Sequence, residues 1–157
     1  MDEVKEKWSD QERARQEKVA QLRARGIDLF PYKFSKTHSI HEIVAQFGSR
    51  SREELEVEKI RVKVPGRIMT IRRMGRATFF HIANSQARLQ AYIREDVVGP
   101  KAYELFDLFD IGDLVGLEGS LFRTKTGELT VLVESFLLLA KCFHPLPEKW
   151  HGLQDVE

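Results

Sequence analysis

A change in hydrophobic period at Lys59 constrains the fold more than any other feature of this chain. Up to that residue the apolar positions follow helical spacing, and after it they alternate with polar ones. The alternation places Val62 and Val64 on one face of a strand and Arg61 and Lys63 on the other. Because an apolar strand face must be covered, the second part of the chain is predicted to build a sheet around a core.

The alternating pattern recurs along the chain, and turn residues separate its repeats. Pro65 and Gly66 interrupt the first repeat, which predicts an edge position or a bulge there. Gly127 precedes the last repeat and is predicted to have a positive φ in a tight turn. The predicted strands are residues 60–69, 77–83, 87–94, 114–122 and 128–139.

One helical stretch divides the third strand from the fourth. Pro100 suits its first turn, and Ala102, Leu105, Phe106 and Phe109 are predicted to form its apolar face. Three strands, a helix and two strands form the element order of an OB-fold. The predicted fold is therefore mainly β with flanking helices: a five-stranded OB-fold barrel in the order β1-β2-β3-α-β4-β5, whose second and third strands commonly bind oligonucleotides.

Helices are predicted before the barrel. Three Ser-x-x-Glu sequences have the form of capping boxes, and they begin at Ser9, Ser39 and Ser51. Gly26 and Gly48 are predicted to end the first two of these helices. The chain is accordingly divided into a helical N-terminal extension (1–57), the barrel (58–141) and a C-terminal connector (142–157).

Positive charge is concentrated in one segment. The chain of 157 residues has 25 Lys and Arg against 24 Asp and Glu, yet residues 60–94 contain basic residues and no acidic one. These basic residues are Arg61, Lys63, Arg67, Arg72, Arg73, Arg76, Arg88 and Arg94. A positive field confined in this way is typical of a protein that binds a polyanion. A solvated sheet face is the competing interpretation.

The second and third predicted strands each have an aliphatic face and a mixed face. Period-two parity predicts that the inward set is Phe80, Ile82, Leu89, Ala91 and Ile93, and that the outward set is Phe79, His81, Arg88, Gln90 and Tyr92. Binding of single-stranded RNA requires a ring on which a base can stack, an amide that reads its edge, and cations for phosphate. The outward set supplies all three. The competing interpretation is that Phe79 packs under the N-terminal helices.

No catalytic or metal-binding pattern is evident. His38 and His41 have no Cys, Asp or Glu at metal-ligand spacing. Cys142 and His144 lack a third group that would orient a nucleophile and its base. By its own residues the chain is predicted to be a binding module with no catalytic residue, no metal and no cofactor.

The expected compartment is the cytoplasm. No apolar run approaches the length of about 20 residues that spans a bilayer, and the first 30 residues are charged. A single cysteine, Cys142, agrees with a reducing compartment.

Three stretches carry a resemblance to a known family: "VPGRIMTIRRMGRATFFHI", "DIGDLVGLEGSLFRTKTGELTV" and "HPLPEKWHGLQDVE". In this order they closely resemble the N-terminal region of bacterial-type class II lysyl-tRNA synthetases, the lysine–tRNA ligases. The resemblance runs from the first helix to the last residue. It implies an OB-fold anticodon-binding domain.

The resemblance also implies individual roles. In this family an arginine, a phenylalanine and a glutamine hold the middle uridine of the lysine anticodon, and the matching residues are Arg72, Phe79 and Gln90. Apart from the resemblance, the acid-free charge run and the parity of the strands predict supporting RNA contacts from Arg67, Arg73, Arg76, His81, Arg88 and Tyr92. Two departures from the family are Pro65, where Ala is usual, and residues 84–87, where an Asp-x-x-Gly turn is usual. The second departure bears on the shape of the hairpin tip.

By the same resemblance the parent enzyme charges lysine tRNA with lysine, uses ATP and Mg²⁺, and is a homodimer. Residues 142–157 resemble the connector to its catalytic domain, so this chain by itself is expected to bind the anticodon stem-loop and to be inactive in catalysis. The alternative function is a free-standing OB-fold module that binds single-stranded nucleic acid or an acidic protein.

Overall fold

The computed structural model describes residues 10–25 and 34–142. The predicted cap at Ser9, the predicted helix end at Gly26 and the connector from residue 143 onward lie outside the described residues. The helices are α1 (Asp10–Ala24), α2 (Ile40–Phe47), α3 (Arg52–Glu58), α4 (Glu95–Val98) and α5 (Pro100–Phe106). The strands are β1 (Arg61–Arg73), β2 (Ala77–Ala83), β3 (Arg88–Arg94), β4 (Leu114–Arg123) and β5 (Leu129–Ala140).

The strands close into a barrel in the order β1-β2-β3-β5-β4. All neighbouring strands are antiparallel except β3 and β5, which pair in parallel from Gln90 with Thr130 to Tyr92 with Leu132. This confirms the predicted five-stranded barrel with helices before it and a helical segment between the third and fourth strands. Closure also pairs the outer edges of the sheet, so the barrel wall has no long free edge.

The interior of the barrel is aliphatic and aromatic. Phe80, Ile82, Ala91 and Ile93 are fully buried, and Leu89 is 3% exposed. The inward set predicted for β2 and β3 is therefore confirmed residue by residue. Since side chains alternate along a strand, the same register places the other set on the outer surface.

Strand β1 continues through its proline. Pro65 pairs with Gly116 of β4, whereas pairing with β2 begins only at Arg67. Pro65 thus lies at an edge on that side, where a missing N–H is tolerated. The alternation of burial persists through Gly66, and the bulge lies further along, between Ile68 and Thr70.

Helix α2 lies against the barrel where a glycine provides space. A Cβ at Gly66 would lie 2.8 Å from side-chain carbons of both Ile40 and Ile82, so only glycine allows helix and strand to approach this closely. The predicted capping boxes of α2 and α3 are confirmed: the Ser39 N–H donates to Glu42 Oε1 (2.9 Å), and the Glu54 N–H donates to Ser51 Oγ (3.1 Å).

The segment after β3 differs from the prediction. It consists of two short helices, with Gly99 at a φ of 95° between them. Tyr103 and Phe106 are the buried residues of α5, and Phe109 is buried in the turn that follows the helix. Tyr103 was missed because its hydroxyl is polar, but that hydroxyl bonds Thr78 Oγ1 at 2.8 Å inside the barrel.

A buried ion cluster joins the N-terminal helix to the barrel. The Lys141 ammonium is fully buried and lies 2.7 Å from Asp113 Oδ2 and 2.6 Å from Asp110 Oδ2. Asp110 also accepts from Lys18 of α1 at 2.7 Å. Burial raises the pKa of Asp113 above its usual value, although Lys141 opposes that effect. Burial also acts to raise the pKa of Asp110, but the bonds from Lys141 and Lys18 outweigh it and the pKa is lowered.

None of the helices in residues 10–25 and 34–142 is long and apolar enough to span a membrane.

Candidate nucleic-acid interface

The outer face of β2 and β3 brings the predicted side chains into two rows across the barrel wall. In the first row, Arg72 of β1 pairs with Phe79 of β2, which pairs with Tyr92 of β3. In the second, His81 pairs with Gln90. The antiparallel register thus places the arginine, the phenylalanine and the glutamine on neighbouring strands of one surface.

The first row presents a partly exposed aromatic ring beside an arginine. Phe79 stacks on Tyr92 with ring centroids 4.3 Å apart and an angle of 20° between the planes, and Tyr92 lies 6.2 Å from Phe122 of β4. Tyr92 thus covers one face of the Phe79 ring, and the register places Arg72 on the neighbouring strand at the other side of Phe79. A base is able to stack on such a ring.

The second row is a hydrogen-bonded chain of polar groups. His81 Nδ1 lies 2.8 Å from Thr70 Oγ1, and His81 Nε2 lies 2.9 Å from Glu128 Oε2. The Gln90 amide lies 3.0 Å from Thr130 Oγ1 and within reach of the same Glu128 carboxylate. The amide is therefore held at the surface by neighbours on β5 and in the turn before it.

Cations surround this face, but they differ in what they contact. Arg72, Arg76 and Arg88 make no ion pair or hydrogen bond with any residue in the described part of the chain. Arg67 Nη1 donates to the Gly112 carbonyl at 2.6 Å, and Arg73 Nη2 lies 3.4 Å from the carbonyls of Asp107 and Phe109. Three of the five predicted arginines are thus available to a ligand, and two already contact the backbone.

The acid-free run in the sequence does not produce an evenly positive surface. Arg61 pairs with Glu134 at 2.6 Å and with Glu118 at 3.6 Å, and Lys63 lies 3.7 Å from Glu118. Because β4 and β5 place these carboxylates beside the start of β1, the positive charge is largely neutralised there. The charge of Arg72 on β1 and of Arg88 on β3 has no acidic partner among the described residues.

The sequence pattern does not predict a role for Glu128 or Thr130 beside Gln90. They follow a hairpin turn, where an acidic residue is common, and only the parallel pairing of β3 with β5 brings them to Gln90. Long-range pairing of this kind leaves no local pattern in a single sequence. The predicted positive φ of the turn is confirmed, since Gly127 has a φ of 89°.

The turn that carries Glu128 is fixed to the helices. The Arg123 guanidinium donates to the carbonyls of Gly48, Arg50 and Gly127 at 2.6, 2.6 and 2.8 Å. An open groove of about 460 Å³ lies between α2, β3 and this turn, and its lining includes Gln90 and Glu128. Gln90 thus lies at the edge of this groove, whereas Phe79 and Arg72 lie outside its lining.

The described residues hold no cluster of three or more His, Cys, Asp or Glu side chains that could bind a metal ion. His38 packs its ring edge against Phe47 with centroids 5.7 Å apart, and His41 lies beside the Ser39 hydroxyl. His144, two residues after Cys142 in the sequence, lies outside the described residues.

The closed five-stranded barrel has the architecture of the OB-fold class, whose second and third strands commonly bind oligonucleotides. Residues 62–139 match the family described as an OB-fold nucleic acid binding domain of the tRNA anti-codon type. The barrel therefore belongs to that family, as the sequence pattern predicts.

The proteins that the chain is similar to are lysine–tRNA ligases. It is 49% identical to those of Bacillus cytotoxicus and Bacillus mycoides and 47% identical to that of Bacillus cereus strain AH187, in each case over 152 residues and 97% of this chain. The chain spans 30% of the length of these curated relatives and matches their N-terminal part.

Proposed function

We propose that this chain binds the anticodon loop of lysine tRNA and reads its middle uridine. The observation that carries the proposal is the arrangement of Arg72, Phe79 and Gln90 on one outer face of the barrel. Phe79 stacks the base, and Gln90 and Arg72 hydrogen-bond its edge. These are the roles that the resemblance to lysyl-tRNA synthetases implies.

The surrounding residues supply affinity rather than sequence reading. Phosphate contacts carry no base information, and they make affinity dependent on salt. Arg76 and Arg88 have guanidinium groups without a protein partner among the described residues, so we assign phosphate contacts chiefly to them. Tyr92 supports the stacking ring, and His81 supports the polar row; Arg67 and Arg73 add positive potential at the periphery.

We further propose that the chain performs this recognition for a lysine–tRNA ligase. The relatives named above are such ligases, and the chain covers less than a third of their length. ATP, Mg²⁺ and homodimer formation are assigned to the ligase as a whole, in the cytoplasm, and no described residue is assigned to them. Because much of a ligase's contact with tRNA lies outside the anticodon, we expect the chain alone to bind weakly and with strong salt dependence.

A titration tests the proposal. The chain is titrated with lysine tRNA and with the same tRNA altered only at the middle anticodon base, at one fixed salt concentration. We expect the altered tRNA to bind about 10-fold or more weakly, because a mismatched base edge leaves polar groups unpaired. Equal affinity for the two would reject base reading and favour the alternative, an OB-fold module that binds single-stranded nucleic acid or an acidic protein.

A further inference from the structure

We propose that the Glu128 carboxylate fixes the orientation of the Gln90 amide and thereby determines that the site reads uridine rather than cytidine. The proposal rests on the proposed function, since it concerns the same base. It assigns to Glu128 a positioning role, acting through Gln90.

The Gln90 amide lies between the Thr130 hydroxyl and the Glu128 carboxylate. With its oxygen toward Thr130 Oγ1 at 3.0 Å, its nitrogen donates to the Glu128 carboxylate oxygens at 3.2 and 3.3 Å. In the reverse orientation the nitrogen lies 3.0 Å from Thr130 Oγ1. The amide oxygen then faces the carboxylate, so two acceptors oppose each other without a hydrogen between them.

The Thr130 hydroxyl is compatible with both orientations of the Gln90 amide. Its hydroxyl is able to donate to the Gln90 oxygen, or to donate to the Glu128 main-chain carbonyl at 3.0 Å while accepting from the Gln90 nitrogen. A hydroxyl serves as donor or acceptor, whereas an ionised carboxylate only accepts. The Glu128 carboxylate therefore determines the orientation of the Gln90 amide.

Glu128 is held in place to exert this effect. Its carboxylate contacts His81 Nε2 at 2.9 Å, and the other ring nitrogen of His81 contacts Thr70 Oγ1 at 2.8 Å. Its main chain is tied to the turn, where its N–H donates to Thr124 Oγ1 at 3.1 Å and its carbonyl accepts from the Thr124 N–H at 3.0 Å. The carboxylate is thus positioned from β1, β2 and the β4–β5 turn together.

The orientation of the amide decides which pyrimidine it matches. Uracil presents a donor at N3 beside an acceptor at O4, whereas cytosine presents an acceptor at N3 beside a donor at N4. For a base fixed by stacking on Phe79, an amide with a set orientation therefore pairs with one of the two and opposes the other. After one contact at each end, the amide retains a hydrogen and a lone pair for the base. An amide free to rotate by 180° would accept both bases.

The test compares RNA hairpins that carry the lysine anticodon with either U or C at the middle position. For the wild-type chain we expect the U hairpin to bind about 10-fold or more tightly. Glu128→Gln replaces the carboxylate by an amide that accepts either orientation of Gln90. The preference is then expected to fall to about threefold or less, with a gain in affinity for the C hairpin.

A charge control separates positioning from the loss of a negative charge. Glu56→Gln removes the same charge from an exposed site on α3 and is expected to leave the U-to-C ratio unchanged. Because a lost charge affects both hairpins alike, the ratio reports orientation alone.

The outcomes are distinct. An unchanged ratio in Glu128→Gln overturns the positioning role while leaving the proposed function intact. Loss of U binding without a gain for C overturns it as well, since Glu128 would then contact the RNA itself. Absence of any preference in the wild type removes the proposed function, and this proposal with it.

Discussion

Phe79 and Phe80 are neighbours in sequence but lie on opposite sides of the barrel wall. Phe80 is fully buried and its ring lies 4.8 Å from that of Phe106, whereas Phe79 stacks on Tyr92 at the outer surface. The two residues therefore have different consequences when replaced. Loss of the Phe80 side chain is expected to destabilise the core, and loss of the Phe79 side chain to weaken ligand binding.

Phe79→Ala is expected to weaken binding of lysine tRNA by about 1–3 kcal/mol, since it removes the ring on which a base stacks. The free energy of unfolding should change much less than for Phe80→Ala, because Phe79 lies outside the barrel core. Phe79→Trp keeps an aromatic face and should retain most of the affinity. Binding by Phe79→Ala that equals wild type would reject the stacking role.

Arg76 and Arg61 form a matched pair of arginines for testing phosphate contacts. Arg76 has no protein partner in the described part of the chain, while Arg61 is paired with Glu134 at 2.6 Å. Arg76→Ala is expected to reduce the slope of log affinity against log salt by about 0.7–1, and Arg61→Ala to leave it nearly unchanged. Equal slopes for both variants would mean that Arg76 does not contact phosphate.

The parity of β2 and β3 was sufficient to predict which residues line the outer face. Period-two alternation is local, and one register determines every side chain of a strand. The partners of Gln90 were not predictable in this way, because Glu128 and Thr130 meet it through the parallel pairing of β3 with β5. Nor could the sequence distinguish a free arginine such as Arg72 from one like Arg67, which bonds the carbonyl of Gly112.

At the scale of elements, the hairpin between β2 and β3 is held by a side chain. Asn84 Oδ1 accepts from the backbone N–H groups of Gln86 and Ala87, each at 2.8 Å. Lys59 is the one non-glycine residue with a positive φ among the described residues, so Ala87 is unstrained. The departure from a glycine-containing turn is thus compatible with an ordinary hairpin.

Asn84→Ala is expected to destabilise the chain by about 1 kcal/mol, because two backbone donors lose their acceptor but remain accessible to water. Chemical denaturation measures the change. Ser85→Ala, in the same turn, is the control and should have little effect. A variant as stable as wild type would show that the Asn84 bonds contribute nothing net to the turn.

The position of the bulge in strand β1 could not be predicted from the sequence. The proline was identified, but the bulge occurs between Ile68 and Thr70, where β1 leaves β4 and pairs with β2. A strand that changes partners must adjust its register, and the location depends on where both neighbours end. That information is distributed over three strands. It is not contained in the residues of β1.

On the scale of the whole molecule, the ion cluster around Lys141 connects segments that are far apart in sequence. Lys141→Met is expected to cost about 3–5 kcal/mol of stability, because it leaves the fully buried Asp113 carboxylate without its cation. Lys101→Met, at an exposed position on α5, is the control. A loss of unfolding free energy below about 1 kcal/mol would show that Asp113 does not depend on Lys141 for its stability in the core.

The same variant has a defined pH dependence. Burial already raises the pKa of Asp113 in the wild type, and removal of Lys141 takes away the charge that opposes this effect. A carboxyl whose pKa is higher in the folded state binds its proton more tightly there, so acid favours folding. The loss of unfolding free energy in Lys141→Met, relative to wild type, should therefore become smaller as the pH falls through the folded-state pKa of Asp113. A deficit that grows in acid would refute this account.

The parallel seam between β3 and β5 is where the barrel closes, and the side chains of Gln90 and Thr130 meet across it. A ligand lying on Phe79, Gln90 and the adjoining turn would touch both sides of the seam at once. Binding and closure are then thermodynamically linked, because such a ligand binds only the closed form. The melting temperature of the chain should accordingly rise as RNA is added. Thermal melting therefore offers a label-free way to compare the binding of different anticodons.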